Sequence, residues 1–160
     1  MKIAREPSTI LIVEDEEPHA ELTRRAIRKA GHVDRIDVVT DGEQALDYLF
    51  HRGAFSNADE FPHPALILLD INLPGMDGIE VLRRIKDTPR LKLIPVIMLT
   101  TSQREEDIVA SYGAYANSYL TKPVGLREFE GKVMQLDHYW LHVNEPPIVK
   151  PANEGDHEPY

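Results

Sequence analysis

The fold of this chain is decided by the stretch LILLDINLPGMDG, residues Leu66–Gly78. Its first four residues are too few for a helix of their own, but they fit a strand that is buried on both faces. The apolar run stops at Asp70, and turn residues follow. We therefore expect Asp70 at the carboxyl end of a central strand, which is the edge where open α/β sheets bind their ligands.

Three other apolar runs are also followed by polar side chains. They are Thr9–Val13 before Glu14 and Asp15, Pro95–Leu99 before Thr100, and Asn117–Thr121 before Lys122. If these runs are parallel strands of one sheet, one edge gathers three carboxylates, a hydroxyl and an ammonium group. Oxygen-rich sites of this kind hold Mg²⁺.

Composition narrows the classes of function. A chain of 160 residues with 42% hydrophobic and 28% charged residues fits one globular domain with a sizeable core. No run has the roughly 18 apolar residues of a membrane span, and the first residues lack the apolar core of a signal peptide, so we expect a cytoplasmic protein without a membrane partner. The net charge of -9 opposes nucleic-acid binding, which depends on Lys and Arg. The absence of cysteine excludes thiol chemistry and a disulfide framework.

Strands and helices are predicted to alternate five times. The expected helices run from Pro18 to Gly31, through Ala45–Phe50, from Asp77 to Thr88, onward from Glu105, and onward from Gly125. This alternation predicts an α/β fold of the flavodoxin-like, doubly wound type, with a five-stranded parallel sheet in the order 2-1-3-4-5 and five helices. In that order Glu14, Asp15 and Asp70 lie in one crevice, beside strands one and three.

The last two helices are rich in apolar residues. In helix four, Ile108, Val109 and Tyr112 are expected to supply the core contacts. In helix five, 3,4,3,4,3 spacing predicts one unbroken apolar stripe. The stripe consists of Leu126, Phe129, Val133, Leu136, Trp140 and Val143. Because Tyr139 and Trp140 are of a type enriched at interfaces, helix five either packs only within its own domain or also joins two subunits, and both interpretations stay open.

Proline-bearing segments mark loops and turns. The polar segment from Gly53 to Pro64 is predicted to be a surface loop. Pro123 makes the exit turn after strand five, and the Lys122-Pro123 bond is a candidate for a cis peptide. Residues 1–7 form a loose lead-in, and residues 144–160, with four prolines and scattered acids, form an extended or disordered tail.

The seven histidines carry little signal in the sequence. Only His138 and His142 stand four residues apart on a predicted helix, a spacing that could hold a metal ion. No third ligand is evident near them in the sequence. We therefore interpret all seven histidines as surface or interface residues.

Four ordered landmarks resemble those of a known family. They are VEDE at Val13–Glu16, LDINLPGMDG at Leu69–Gly78, LTT at Leu99–Thr101 and YLTKP at Tyr119–Pro123. Together they resemble the receiver domain of two-component response regulators, over residues 8–143. Within that family the chain looks most like the single-domain regulators paired with phytochromes, because of the polar insert before strand three, the segments Thr100–Ser102 and ANSYLTKP, and the Tyr139-Trp140 ending.

The resemblance implies a phosphoacceptor and its metal. Asp70 would accept a phosphoryl group from a sensor histidine kinase, in this subfamily a phytochrome. Mg²⁺ would be held by Asp15, Asp70 and the backbone carbonyl of Asn72, while Glu14 would act through a metal-bound water. Lys122 would bind a phosphoryl oxygen.

The resemblance also implies a switch. The Thr100 hydroxyl would donate to the phosphoryl group, and its movement would make room for Tyr119 to turn inward. This would reshape the face of helix four, strand five and helix five, through which a homodimer is expected. Candidate dimer contacts are Tyr112, Tyr139 and Trp140.

Several alternatives accompany this interpretation. Only residues 144–160 follow helix five, too few for an output domain, so the signal would pass through a partner, through dimerisation, or onward as phosphate to a histidine phosphotransfer protein, which would make the chain a shuttle or sink. A Mg²⁺-dependent aspartyl phosphohydrolase of the haloacid dehalogenase type needs a second acid where this chain has Asn72. An FMN carrier is disfavoured by the acidic turn Glu14–Glu16. We therefore expect a phosphoacceptor and not an enzyme.

Overall fold

The computed structural model describes residues 7–147. Most of the predicted lead-in and the tail from residue 148 onward lie outside the described residues. The strands are β1 (Thr9–Val13), β2 (Arg35–Val39), β3 (Leu66–Leu69), β4 (Val96–Thr100) and β5 (Ser118–Thr121). All neighbouring strands are parallel, and their order in the sheet is β2-β1-β3-β4-β5. The predicted strand order is confirmed.

Five α-helices connect and follow these strands. They are α1 (Glu17–Ala30), α2 (Gly42–Phe50), α3 (Gly78–Asp87), α4 (Glu105–Gly113) and α5 (Leu126–His138). Local sequence explains several of their ends: the side chains of Asp41 and Asp77 accept hydrogen bonds from the first turns of α2 and α3, and Gly31 ends α1 with a φ of 77°. Within residues 7–147, no helix has the length and apolarity needed to cross a membrane.

The sheet is buried on both faces. Alternate residues of β3 belong to different apolar clusters: Ile67 and Leu69 pack with residues of α2 and α3, whereas Leu66 and Leu68 pack with residues of α1 and α5. This explains why β3 reads as a continuous apolar run with no polar alternation. The helices cover both faces, so the edge at the carboxyl ends of the strands is where polar side chains gather.

Backbone hydrogen bonds continue one residue beyond the strands. The N–H of Glu14 donates to Val39 O at 3.0 Å, and that of Asp70 donates to Val13 O at 3.1 Å. The N–H of Lys122 donates to Thr100 O at 2.7 Å. The sheet therefore fixes the backbone of the residues that carry the polar side chains.

The prediction for the apolar contacts of α4 is wrong for two of its three residues, since only Ile108 is half-buried. Val109 and Tyr112 are exposed, at 64% and 51% of their full surface. Ser111 is buried instead, and Ala110 packs against the core. Because Ser111 and Ala110 fill the contact with the rest of the domain, Val109 and Tyr112 are left on the outer surface.

The apolar stripe of α5 is only partly confirmed. Phe129, Val133 and Leu136 are buried, and Trp140 packs against the same cluster, but Leu126 and Val143 are exposed. From Tyr139 to Val143 the chain forms a π-helical turn, closed by a 2.6 Å bond from Asn144 N to Tyr139 O. Because a π-turn holds more residues than an α-turn, it shifts the phase of the stripe and turns Val143 away from the core.

The segment from Gly53 to Pro64 is more ordered than a plain surface loop. It contains a 3₁₀ turn, Gly53–Phe55, and its aromatic side chains Phe55 and Phe61 pack on the buried ring of Tyr48 with centroids 5.3 and 5.7 Å away. The Tyr48 hydroxyl donates to Asp37 Oδ2 at 2.5 Å. Because most of the segment is polar, its sequence did not indicate that Phe55 and Phe61 pack against the core.

The exit turn after β5 also differs from expectation. No cis peptide bond occurs among residues 7–147, so the Lys122-Pro123 bond is trans. The trans form is the intrinsically favoured isomer even before proline.

Gly78 is expected to be indispensable for packing. A Cβ at this position would lie 2.0 Å from Asp70 O and 2.8 Å from Ile71 Cα, both backbone atoms. We expect Gly78→Ala to lower the free energy of unfolding by at least about 2 kcal/mol, because overpacking here must move the main chain. Gly131→Ala is the control, since a Cβ inside α5 meets nothing within 4 Å, and should raise stability by about 0.5–1 kcal/mol. Urea denaturation measures both; equal effects would contradict the close approach.

Candidate functional site

The structure brings the predicted acidic residues together at the carboxyl edge of the sheet. Glu14, Asp15 and Asp70 each offer a carboxylate oxygen, and these oxygens lie within 4.8 Å of one another. Glu14 and Asp70 are buried, whereas Asp15 is exposed. The switch point between β1 and β3 places the three side chains together, as the predicted strand order requires.

Lys122 is the cation of this cluster. Its ammonium group is buried, donates to Asp70 Oδ2 at 3.0 Å and forms an ion pair with Glu14. It also lies 3.2 Å from Nδ1 of His19. Two of the three carboxyl groups thus contact the same lysine, and the cluster keeps an excess of negative charge.

The two buried carboxyl groups, Glu14 and Asp70, have pKa values shifted in opposite directions. Burial, together with the neighbouring Asp70, raises the pKa of Glu14 to about 8. Burial acts in the same direction on Asp70, but the Glu14 hydrogen bond, the Lys122 charge and the Thr100 hydroxyl outweigh it, so the pKa of Asp70 lies below its usual value. Without a metal the extra proton is therefore on Glu14, and Asp70 stays ionised.

The acidic residues fit a divalent cation. Oε2 of Glu14 is buried and has no hydrogen-bond partner, so this carboxyl group offers a cation a strong acceptor once it has released its proton. Carboxylate oxygens are the ligands that Mg²⁺ and similar hard ions prefer. Glu14, Asp15 and Asp70 are the residues that could hold such an ion.

Asn72 and Thr100 also border Asp70. The backbone N–H of Asn72 donates to Asp70 Oδ1 at 3.1 Å, which fixes the orientation of the carboxylate. Thr100 is fully buried at the end of β4, and its Oγ1 accepts a 3.3 Å hydrogen bond from the N–H of Ser102. The metal role of the Asn72 carbonyl and the phosphoryl role of Thr100 stay predictions.

Tyr119 is linked to the loop that follows β4. Its hydroxyl donates to Ser102 O at 2.9 Å, and the Ser102 hydroxyl donates to Asp107 in the first turn of α4 at 2.5 Å. Nothing in the sequence indicated the part that Ser102 plays in this chain of contacts. Because Ser102 also binds Thr100, it connects the acidic cluster to α4 and β5.

His19 is a second residue that the sequence analysis missed. Its Nδ1 lies 3.6 Å from Glu14, 2.9 Å from Glu16 and 3.2 Å from the Lys122 ammonium group. The available signal was its position: α1 begins directly after the acidic turn, so its first turn borders the cluster.

The candidate dimer residues differ in exposure. Tyr112 and Tyr139 are about half exposed, whereas Trp140 is half-buried and packs against the core. A groove between β5 and α5 is lined by Tyr119, Leu120, Gln135, Tyr139 and Trp140, among others. Trp140 therefore has a packing role of its own, and a part in a dimer stays a prediction.

Comparison with known proteins places the chain in a family. Residues 10–134 match the profile of the response regulator receiver domain. The chain is 41% identical over 145 residues to the probable methanogenesis regulatory protein FilR2 of Methanothrix harundinacea, with 90% of each chain covered. It is 40% identical over 143 residues to response regulator Rcp1 of Synechocystis, covering 89% of this chain and 95% of Rcp1.

Solved structures show the same similarity. The crystal structure of the Mn²⁺-bound form of Rcp1 superposes with a TM-score of 0.81 at 39% identity, covering 89% of this chain and all of Rcp1. The phosphorylated cyanobacterial phytochrome response regulator RcpA superposes with a TM-score of 0.83 at 38% identity, covering 89% of this chain and 99% of RcpA. With the acidic edge and the strand order described above, these matches show that the chain belongs to the response regulator receiver domain family.

Proposed function

We propose that this chain is a phosphorylation-controlled single-domain response regulator that receives its phosphoryl group on Asp70 from a sensor histidine kinase of the phytochrome class. The observation that carries the proposal is the buried, ionised Asp70 carboxylate, 3.0 Å from the Lys122 ammonium group and clustered with Glu14 and Asp15. The phytochrome partner is supported by similarity to RcpA, which is described as a phytochrome response regulator.

The proposed reaction uses Asp70 as a nucleophile. A carboxylate oxygen of Asp70 forms the new bond to phosphorus, while the bond from phosphorus to the kinase histidine breaks and its electron pair stays on the imidazole nitrogen. The Asp70 carboxylate is already ionised, so it needs no general base. A Mg²⁺ ion bound by Glu14, Asp15 and Asp70 would offset the negative charge that the phosphoryl group brings.

Lys122 changes partners in this scheme. In the structure it forms an ion pair with Asp70 and also contacts the Glu14 carboxyl group. Once Asp70 carries the phosphoryl group, the ammonium group binds a phosphoryl oxygen as a point charge, and the Thr100 hydroxyl donates to another.

The link through Ser102 gives the switch a physical route. Movement of Thr100 displaces the N–H of Ser102, whose carbonyl accepts the Tyr119 hydroxyl and whose own hydroxyl holds Asp107. Phosphorylation is thereby transmitted to the surface of α4, β5 and α5, where Val109, Tyr112 and Tyr139 are exposed. We propose that this surface forms the homodimer, since exposed aromatic residues favour association.

Replacement of Asp70 tests the acceptor. Asp70→Asn removes the nucleophilic carboxylate but keeps its size, and we expect phosphoryl transfer from a phosphorylated phytochrome kinase to fall to background in a radiolabel assay. Asp87→Asn, an exposed acid at the end of α3, is the control and should be labelled like the wild type. Full labelling of Asp70→Asn would refute the assignment.

The proton on Glu14 predicts a pH-dependent stability in the absence of divalent metal. Since the pKa of Glu14 is about 8 in the folded chain against 4.5 normally, the folded state holds the extra proton between these values, and stability falls as pH rises from about 4.5 to about 8. Glu14→Gln cannot lose this proton. We expect the difference between the Tm of the variant and that of the wild type, measured in EDTA, to increase in favour of the variant as pH rises across this range. A Tm difference that does not change with pH would contradict the protonation of Glu14.

Two tyrosines test the proposed dimer surface. Truncating exposed aromatic contacts costs on the order of 1–2 kcal/mol each, so Tyr112→Ala with Tyr139→Ala should raise the dimer Kd more than about tenfold. Sedimentation equilibrium of the phosphorylated protein measures this. Leu93→Ala, at an exposed apolar residue before β4, is the control. An unchanged Kd in the double variant would place the dimer elsewhere.

A further inference from the structure

Three imidazole rings meet on the side of the domain formed by α1 and α5. His32 follows Gly31, the residue that ends α1; His138 ends α5; and His142 lies in the π-helical turn. The ring centroids are 5.6 Å apart for His32 and His138, 5.1 Å for His32 and His142, and 5.0 Å for His138 and His142. The fold thus supplies the third histidine that was not evident in the sequence.

These separations match the spacing of ligands around one metal ion. Imidazole nitrogens bind Zn²⁺ at about 2.0–2.1 Å, and two imidazoles on a tetrahedral ion consequently have centroids about 5 Å apart. The rings do not present their nitrogens to one point in this structure, because the nitrogens of the three histidines do not all lie within 4.8 Å of one another and His32 and His142 are stacked within 22° of parallel. His138 and His142 are exposed, so their rings have room to rotate.

A buried carboxylate lies within electrostatic reach of two of the rings, His32 and His138. Asp137 is 0% exposed, and neither of its carboxylate oxygens has a hydrogen-bond partner. Burial raises its pKa, and the nearby His32 and His138 act in the opposite direction. An unpartnered buried carboxylate is unfavourable and calls for an explanation. Metal-binding histidines commonly donate their second ring N–H to such a carboxylate, which orients the ring.

We propose that His32, His138 and His142 form a transition-metal site, with Zn²⁺ as its ion and Asp137 as the carboxylate that positions the histidine rings. The site is distinct from the acidic cluster. Helices α1 and α5 both start near the carboxyl edge of the sheet and run back along it, so their ends lie at the opposite edge. The ligand types also differ, because imidazole favours zinc whereas carboxylates favour magnesium.

A bound ion would connect the end of α1 to the π-helical turn. That turn contains Tyr139 and Trp140, of which Trp140 packs against the core and Tyr139 is exposed beside the β5 groove. The ion would therefore hold this turn, and with it the exposed aromatic side chain, in one position.

Calorimetric titration of the full chain with ZnCl₂ tests the proposal. Excess Mg²⁺ is present throughout, so that the acidic cluster is occupied. We expect the wild type to bind a zinc ion that is lost in His32→Gln, His138→Gln and His142→Gln. His63→Gln is the matched control, since His63 stacks on His51 outside the cluster, and it should bind zinc like the wild type.

Asp137→Asn separates the positioning role from folding. The variant should bind Zn²⁺ about tenfold or more weakly than the wild type, as loss of a supporting carboxylate typically does, with circular dichroism confirming its fold. Co²⁺ replaces Zn²⁺ as a spectroscopic probe, and its visible absorption should report a tetrahedral site in the wild type and not in His142→Gln. No zinc binding by the wild type, or equal binding by all three histidine variants, would overturn the proposal. Neither result bears on phosphorylation of Asp70.

Discussion

The repulsion between carboxylates at one edge of the sheet is the constraint on which the site depends. Glu14 and Asp70 are both buried there, with Asp15 beside them, and within residues 7–147 Lys122 is the one lysine that contacts the two buried groups. The excess negative charge can be offset by a proton on Glu14 or by a divalent cation. The proton and the cation exclude each other at Glu14, because a protonated carboxyl group does not bind a metal ion. A phosphoryl group on Asp70 would add further negative charge. The cluster therefore links pH, metal and phosphorylation through one electrostatic balance.

The backbone is what makes this unfavourable arrangement possible. The hydrogen-bond ladder extends to Glu14, Asp70 and Lys122, so their main chain cannot withdraw from the edge. On the other side of the Asp70 loop, the N–H of Gly78 donates to Ile71 O at 2.8 Å, and no Cβ fits between the start of α3 and the strand end. Packing on both sides holds the carboxylates together, and the surrounding core supplies the stabilisation that offsets their repulsion.

Much of this could be predicted from the sequence, because the main signals are local. The apolar run before Asp70, the acid pair after β1 and the alternation of strands and helices determine the sheet order and the acidic edge. Features that depend on contacts between distant segments could not be predicted in this way. The exposure of Val109 and Tyr112 depends on how closely α4 lies against its neighbours, and the phase of the α5 stripe changes at a π-helical turn with no evident sequence signature. His32 is more than 100 positions from His138, so spacing alone could not pair them.

The same two helices also explain why this domain can hold two chemically different clusters. Helix α1 begins beside the acidic residues and ends beside His32, and α5 begins after Lys122 and ends at His138. The carboxylate cluster is thus at one edge of the sheet, with His19 beside it, and the three clustered histidines are at the other, with an apolar core between the two clusters. Movements of packed side chains propagate through an apolar core, whereas within residues 7–147 no charged group of this core connects the two clusters. Any influence of one cluster on the other must therefore act through the packing of α1 against α5. Phe129, Val133 and Leu136 form that contact from α5, which makes the core beneath this helix pair the physical connection between the two edges.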